Sequence, residues 1–138
     1  MRVKNLSFSL LFSCLFLPLT VQAFFSPSVN RAMDEAKICN KVTSNHGYIE
    51  CMNKNNQALK RSIDNTTTTK TADYSPSKQK RVKQYVKKQN QSITKNCLNE
   101  KSKLGNGITS DRRHIYCVYE NLLELQINLE RNIELYAK

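Results

Sequence analysis

The sequence predicts an all-α fold, a small antiparallel bundle of one short and three long helices stapled by two disulfides. Three observations predict it. Apolar residues recur at spacings of three and four through most of the chain, and nowhere alternate as a strand would. Turn-forming residues interrupt that period at Asn40–Gly47 and at Gly105-Asn106-Gly107. Cysteines flank both interruptions: Cys39 and Cys51 around the first, Cys97 and Cys117 around the second.

Residues 1–23 read as a secretory signal peptide. Arg2 and Lys4 make a basic start, Leu6 to Val21 is mostly apolar, and Val21-Gln22-Ala23 is a small-residue cleavage site. Pro18 and Gln22 interrupt a run already short for a membrane span, which argues against a retained anchor. Lipoprotein processing at Cys14 fits less well, because apolar residues continue past it. Residues 24–138 then form a single all-α four-cysteine domain of 115 residues (138 minus 23), with no transmembrane span left after cleavage. The expected location is periplasmic or secreted.

The helices follow in order. Ser26 or Ser28 can cap a short helix reaching Ile38, with Val29, Met33 and Ala36 on one side and Ile38 beside them. A second helix is predicted from Gly47 to Asp64, where Ile49, Met52, Asn56, Leu59 and Ile63 keep the helical period. Asn65 to Asp73 holds four consecutive threonines, whose χ1 restriction disfavours helix, and reads as a solvated loop. Asn65 and Asn90 each begin a glycosylation sequon, which matters only in a eukaryotic secretory route. Ser75-Pro76 starts a third helix running to Lys103, with sparse apolar positions at Val82, Tyr85, Val86, Ile93, Leu98 and Leu104. Thr109 or Ser110 can cap the fourth, with Asp111 in its first turn. There Ile115, Val118, Leu122, Leu125, Leu129 and Tyr136 keep heptad core spacing, with Asn132 at the remaining seam position and Ile133 beside it. This helix is predicted to continue almost to Lys138.

In an exported chain four cysteines read as a disulfide framework. In antiparallel hairpins the nested pairing Cys39–Cys51 and Cys97–Cys117 is the economical choice among three connectivities. A metal site built from Cys39, His46 and Cys51, with His114 or Cys117, matches no usual zinc spacing. No metal and no cofactor is implied.

No residue set announces catalysis. His46 and His114 are the only near-neutral acid–base groups, and both read as surface residues, His46 within the first turn. Glu120 and Glu124 are i,i+4 neighbours, best read as a solvated face. The chain is therefore expected to be non-enzymatic.

Charge offers one functional signal. The full chain carries 22 basic and 11 acidic residues, and loss of Arg2 and Lys4 would leave 20 minus 11, or +9. Lys54–Lys103 holds 13 basic and 3 acidic residues, whereas Leu104–Lys138 holds 4 and 5. The candidate binding surface is Lys80, Arg81, Lys83, Lys87 and Lys88 on the third helix, with Glu120 and Glu124 on the fourth. An anionic polymer or lipid, or an acidic protein, would suit the basic segment. Export and the lack of an aromatic-rich readout motif argue against nucleic acid. The competing bland expectation is internal complementarity, in which glutamates of helix four offset lysines of helix three.

A family resemblance accompanies this reading. Cys39 and Cys51 have eleven residues between them, with Glu50 before the second; Gln89–Asn96 leads into Cys97; the Gly105-Asn106-Gly107 turn follows; Cys117-Val118 opens the terminal helix. Over about Ala36 to Glu134 this frame resembles the lysozyme inhibitor LprI-like family of small exported bacterial proteins. The chain departs from that pattern at Gln89, Ile93 and Thr94, where the family shows Trp, Arg and Asp, and at Leu122 and Leu125, where it shows polar Thr and Arg. The resemblance implies a binding protein that occludes lysozyme, a glycan hydrolase or another envelope-active protein; a secreted effector or toxin-neutralising protein is a separate alternative. A protein partner is therefore expected, with oligomeric state open.

Overall fold

A computed structural model describes residues 25–138; the expected export signal at 1–23 lies outside the described residues. Helix α1 spans Pro27–Cys39, α2 Asn45–Lys70, α3 Pro76–Lys103 and α4 Ile108–Asn132, followed by a 3-10 turn at Ile133–Ala137. The fold is all-α, as the sequence predicts. Among the described residues no helix is long and apolar enough to cross a membrane.

Successive helices run antiparallel, but the most extensive packing joins α2 to α4, which point the same way. Arg112 at the start of α4 stacks over Tyr48 at the start of α2, 3.9 Å from the ring centroid, and donates to Asn45 Oδ1 at 3.0 Å. At the other end Gln126 Nε2 donates to Thr66 Oγ1 at 2.8 Å. Helix α4 therefore lies between α2 and α3, with α1 across its remaining flank. That placement explains why Tyr119 and Gln126 are buried along with the heptad residues Ile115, Leu122, Leu125 and Leu129. Val118 and Tyr136 are only half-buried, and Asn132 is exposed.

Two asparagines break the apolar face of α2 and both bridge helices. Asn55 Nδ2 donates to Ala32 O at 2.9 Å, and Asn56 Nδ2 donates to Ile115 O at 3.1 Å. Each bond satisfies a buried donor and fixes the height of one helix against another. The start of α1 is held similarly: Ser26 and Ser28 donate to Glu130 Oε1 at 2.6 and 2.9 Å.

Both disulfides join the expected partners. Cys39–Cys51 ties α1 to α2 with Cα atoms 5.5 Å apart, and Cys97–Cys117 ties α3 to α4 at 5.7 Å. These separations fall in the ordinary range.

Several boundaries differ from the sequence expectation. The threonine run is helical: α2 continues to Lys70. Thr67 and Thr71 extend the buried i,i+4 row begun by Leu59 and Ile63. Thr67 Oγ1 donates to Ile63 O at 2.8 Å, Thr68 Oγ1 to Asp64 O at 2.9 Å, and Thr71 Oγ1 to Thr67 O at 2.7 Å. The hydroxyls are satisfied inside the helix, and packing on α4 overrides the weak propensity. Helix α2 also starts earlier, capped by Ser44, so His46 is an exposed first-turn residue and not a loop residue. Gly47 fits there because a Cβ would lie 2.6 Å from the capping Ser44 Oγ. Ile38 points outward and is 61% exposed, since Cys39 takes the inward position.

Helix α4 is capped by Gly107 instead of Thr109 or Ser110; Ser110 is buried, and its hydroxyl donates to Gly107 O at 2.7 Å. Gly105 and Gly107 adopt φ of +78° and +146°, which side-chain-bearing residues rarely reach. At its other end α4 tightens into the 3-10 turn, which lets Tyr136 stack on Tyr85 with ring centroids 3.9 Å apart.

Candidate functional site

Helix α3 carries the candidate site. Pro76 takes its first position with φ already helical. The buried edge is thin: Val82, Val86, Ile93 and Cys97. Everything else on the helix is free to serve the surface. Between Pro76 and Asn99 stand seven cations, Lys78, Lys80, Arg81, Lys83, Lys87, Lys88 and Lys95, and no acid.

Their arrangement opposes helix stability. The first turn of α3 holds no acidic residue, so Lys78, Lys80 and Arg81 crowd the positive end of the macrodipole. Lys78–Arg81, Lys80–Lys83 and Lys83–Lys87 sit at i,i+3 or i,i+4 spacing. Such like-charged neighbours cost about 0.2–0.5 kcal/mol each.

The expected internal compensation does not form. Among the described residues none of these seven cations makes an ion pair. The pairs between α3 and α4 lie at the far end, Lys101–Asp111 at 2.6 Å and Glu100–Arg113 at 3.7 Å. Among the described residues Glu120 and Glu124 make no ion pair with these lysines; they line a groove between α1 and α4 with Met33, Tyr116 and Leu123, and Glu124 also lies near enough to Tyr85 of α3 to help raise it. The candidate surface read from sequence is thus two surfaces. The basic segment also narrows, since Lys54 pairs with Glu50 at 2.9 Å, holding the Glu50 carboxyl below its ordinary range chiefly through that hydrogen bond.

The cations of α3 form two rows at helical spacing. Arg81 and Lys88, seven residues apart, lie on the outer side, whereas Lys95, the next at that spacing, lines the space between α2 and α3. Lys80, Lys83 and Lys87 lie along the inner side, together with Pro76, Gln79 and Gln84. The inner row continues into a groove between α2 and α3 of about 780 Å³. This groove exists because α2 and α3 each pack on α4 and scarcely touch one another beyond their connecting turn. Gln79 Nε2 closes that end by donating to Thr71 O at 3.1 Å and to Tyr74 O at 3.0 Å.

On the other side of α3, Tyr85 is pushed up to about 12, first by burial and then by its hydrogen-bonded neighbour Tyr136. Burial likewise raises Tyr48 and Tyr119. These are structural tyrosines held neutral by burial within the bundle. The cysteines of the candidate metal set are all in disulfides, and among the described residues no cluster of three or more His, Cys, Asp or Glu could hold a metal ion. His114 is half-buried instead of fully solvated, and among the described residues its Nδ1 has no hydrogen-bond partner.

The groove itself was not legible in the sequence. Its lining includes Thr67, Thr68, Asn90, Thr94 and Leu98. Leu98, 55% exposed, carried the one signal: it is a large apolar residue one position beyond the buried Cys97. No family model, no curated protein and no solved structure matches the chain. Function must then be argued from the site itself.

Proposed function

We propose that the chain is an exported, non-enzymatic binding protein that engages an anionic envelope polymer or lipid through the cationic face of α3. The observation that carries this reading is the set of seven cations with no ion pair among the described residues, three of them, Lys78, Lys80 and Arg81, at the helix end where the macrodipole already repels them. A surface serving solubility alone intersperses both signs. A local rule broken with no gain inside the molecule points to function.

The test uses polyphosphate as a linear polyanion and vesicles with or without phosphatidylglycerol, at low and high salt. Binding to an anionic probe should weaken as salt rises. It should vanish when Lys80, Arg81, Lys87 and Lys88 are replaced together by Glu. Binding that ignores ionic strength, or survives the reversal, overturns the proposal.

A second reading follows from the α1–α4 groove. Glu120 and Glu124 are exposed there beside Tyr116 and Leu123, an acidic and partly apolar strip suited to a basic protein. The lysozyme occlusion implied by the family resemblance would use this strip, because the +9 charge otherwise repels basic lysozymes at a distance. Titration into lysozymes of both charge signs checks it. Inhibition of a basic lysozyme that is lost in Glu120→Lys/Glu124→Lys supports it, and no inhibition by the oxidised protein sinks it.

A further inference from the structure

We propose that the groove between α2 and α3 holds the single acyl chain of an anionic lipid, with the lipid phosphate on Lys83 and Lys87. This rests on the cationic reading of α3 and adds to it an apolar subsite, which a polyanion alone would not need.

Three observations converge on that ligand. The first is the wall material. Val86 forms part of the floor, Thr67 and Thr94 contribute methyl groups, and Leu98 stands 55% exposed with nothing packed over it. An exposed leucine at the lip of an apolar groove is an incomplete packing contact that an alkyl chain completes.

The second is shape. The α3 wall runs from Lys83 to Leu98, about 22 Å at the helical rise. One acyl chain of a bilayer leaflet spans about 15 Å, so it fits along this wall with length to spare. The α2 wall is only Asp64 to Thr68, about one turn. A docked helix would need support on both sides over its length; a narrow chain does not.

The third is charge placement. Lys83 and Lys87 line the groove toward its Gln79 end, with Lys80 continuing their row, and Lys95 lines it near Leu98. Their alkyl stems extend the apolar wall while their ammonium groups stay at the rim. Asp64 is the one acid in the lining and lies on the opposite wall, so a phosphate is directed to the α3 side. The chain then runs past Thr94 toward Leu98.

The experiment is calorimetric titration of the oxidised protein, below micelle-forming concentrations, with lysophosphatidylglycerol. Lysophosphatidylcholine, of the same chain and no net charge, and glycerol phosphate, the head alone, are the comparison arms. Lysophosphatidylglycerol should bind tighter than either. Thr94→Gln/Leu98→Gln changes two exposed positions without changing charge and should leave folding intact, as checked by circular dichroism. It should weaken lysophosphatidylglycerol by about tenfold, the consequence of replacing apolar contact with polar amides beside the chain. Polyphosphate binding should be unchanged in the same variant, because the cations of α3 are all retained. Equal binding of both lysolipids, unchanged lysophosphatidylglycerol affinity in the variant, or polyphosphate binding without lysolipid binding each overturns the groove site. The last of these leaves the cationic reading standing; loss of both by the parent protein removes it as well.

Discussion

Helices α3 and α4 are nearly equal in length, 28 and 25 residues, run side by side and share a disulfide, yet they do opposite jobs. Helix α4 is buried on three flanks and brings eight buried residues to the core. Helix α3 brings four and turns seven unpaired cations outward. Stability is concentrated in α4, and the surface available for binding is concentrated in α3. A core helix between two others is constrained around most of its circumference; a helix touched on one edge leaves the rest of its sequence free for charge.

The sharpest way to break that comparison is truncation on each helix. Leu122→Ala on α4, at a fully buried position, should cost about 3–4 kcal/mol by urea unfolding, from lost transfer energy and the cavity left behind. Leu98→Ala on α3 should fall within about 0.5 kcal/mol. Comparable losses would mean that α3 contributes as much to the core as α4.

Next in size is the bridge between them. Replacing Cys97 and Cys117 together by Ser opens a loop of 20 residues' separation and should cost about 3 kcal/mol. Amide exchange should then rise more in α3, which has the fewer apolar contacts to hold it, than in α4. Equal exchange in the two helices would contradict the asymmetry.

Smaller and opposite in sign is the effect of charge reversal. The Lys80, Arg81, Lys87 and Lys88 to Glu variant, used above to abolish binding, should raise stability by about 1 kcal/mol. It relieves like-charged neighbours and places acids near the positive end of the α3 dipole. A thermal melt checks this. A destabilised variant would mean that these cations serve the fold after all.

The smallest effect concerns the contact between α3 and the chain's last turn. Tyr85 titrates near 12 in the folded protein and near its ordinary value of 10.0 when unfolded. The raised folded value means that the unfolded chain loses its proton first as pH rises. The stabilisation is complete below about pH 10 and is lost between pH 10 and about 12. Stability measured through that window should fall more steeply for the parent protein than for Tyr85→Phe.

Much of this architecture was legible from local signals. The Ser75-Pro76 start and the positive-φ glycines after Lys103 delimit α3 within a residue, because caps and turn chemistry act over a few bonds. The heptad row of α4 was readable for the same reason, and cysteines placed about hairpin turns pointed to their own pairing. The threonine run misled because χ1 restriction is a modest penalty, and burial of Thr67 and Thr71 against neighbouring helices outweighs it. Ser44 was missed as a cap because it lies inside a polar stretch that resembles a turn throughout.

The candidate site divides in the same way. That α3 is strongly basic is a property of the sequence by itself, as are the helix count, the turns and the cysteine frame. That its cations find no acidic partner, that Glu120 and Glu124 belong to a different groove, and that α2 and α3 part to leave an apolar channel were decided by tertiary structure alone. Periodicity states which side of a helix is apolar, but not which neighbour will cover it. Here α4 covers both α2 and α3, and the groove is the space left when one helix satisfies two others that follow each other in sequence.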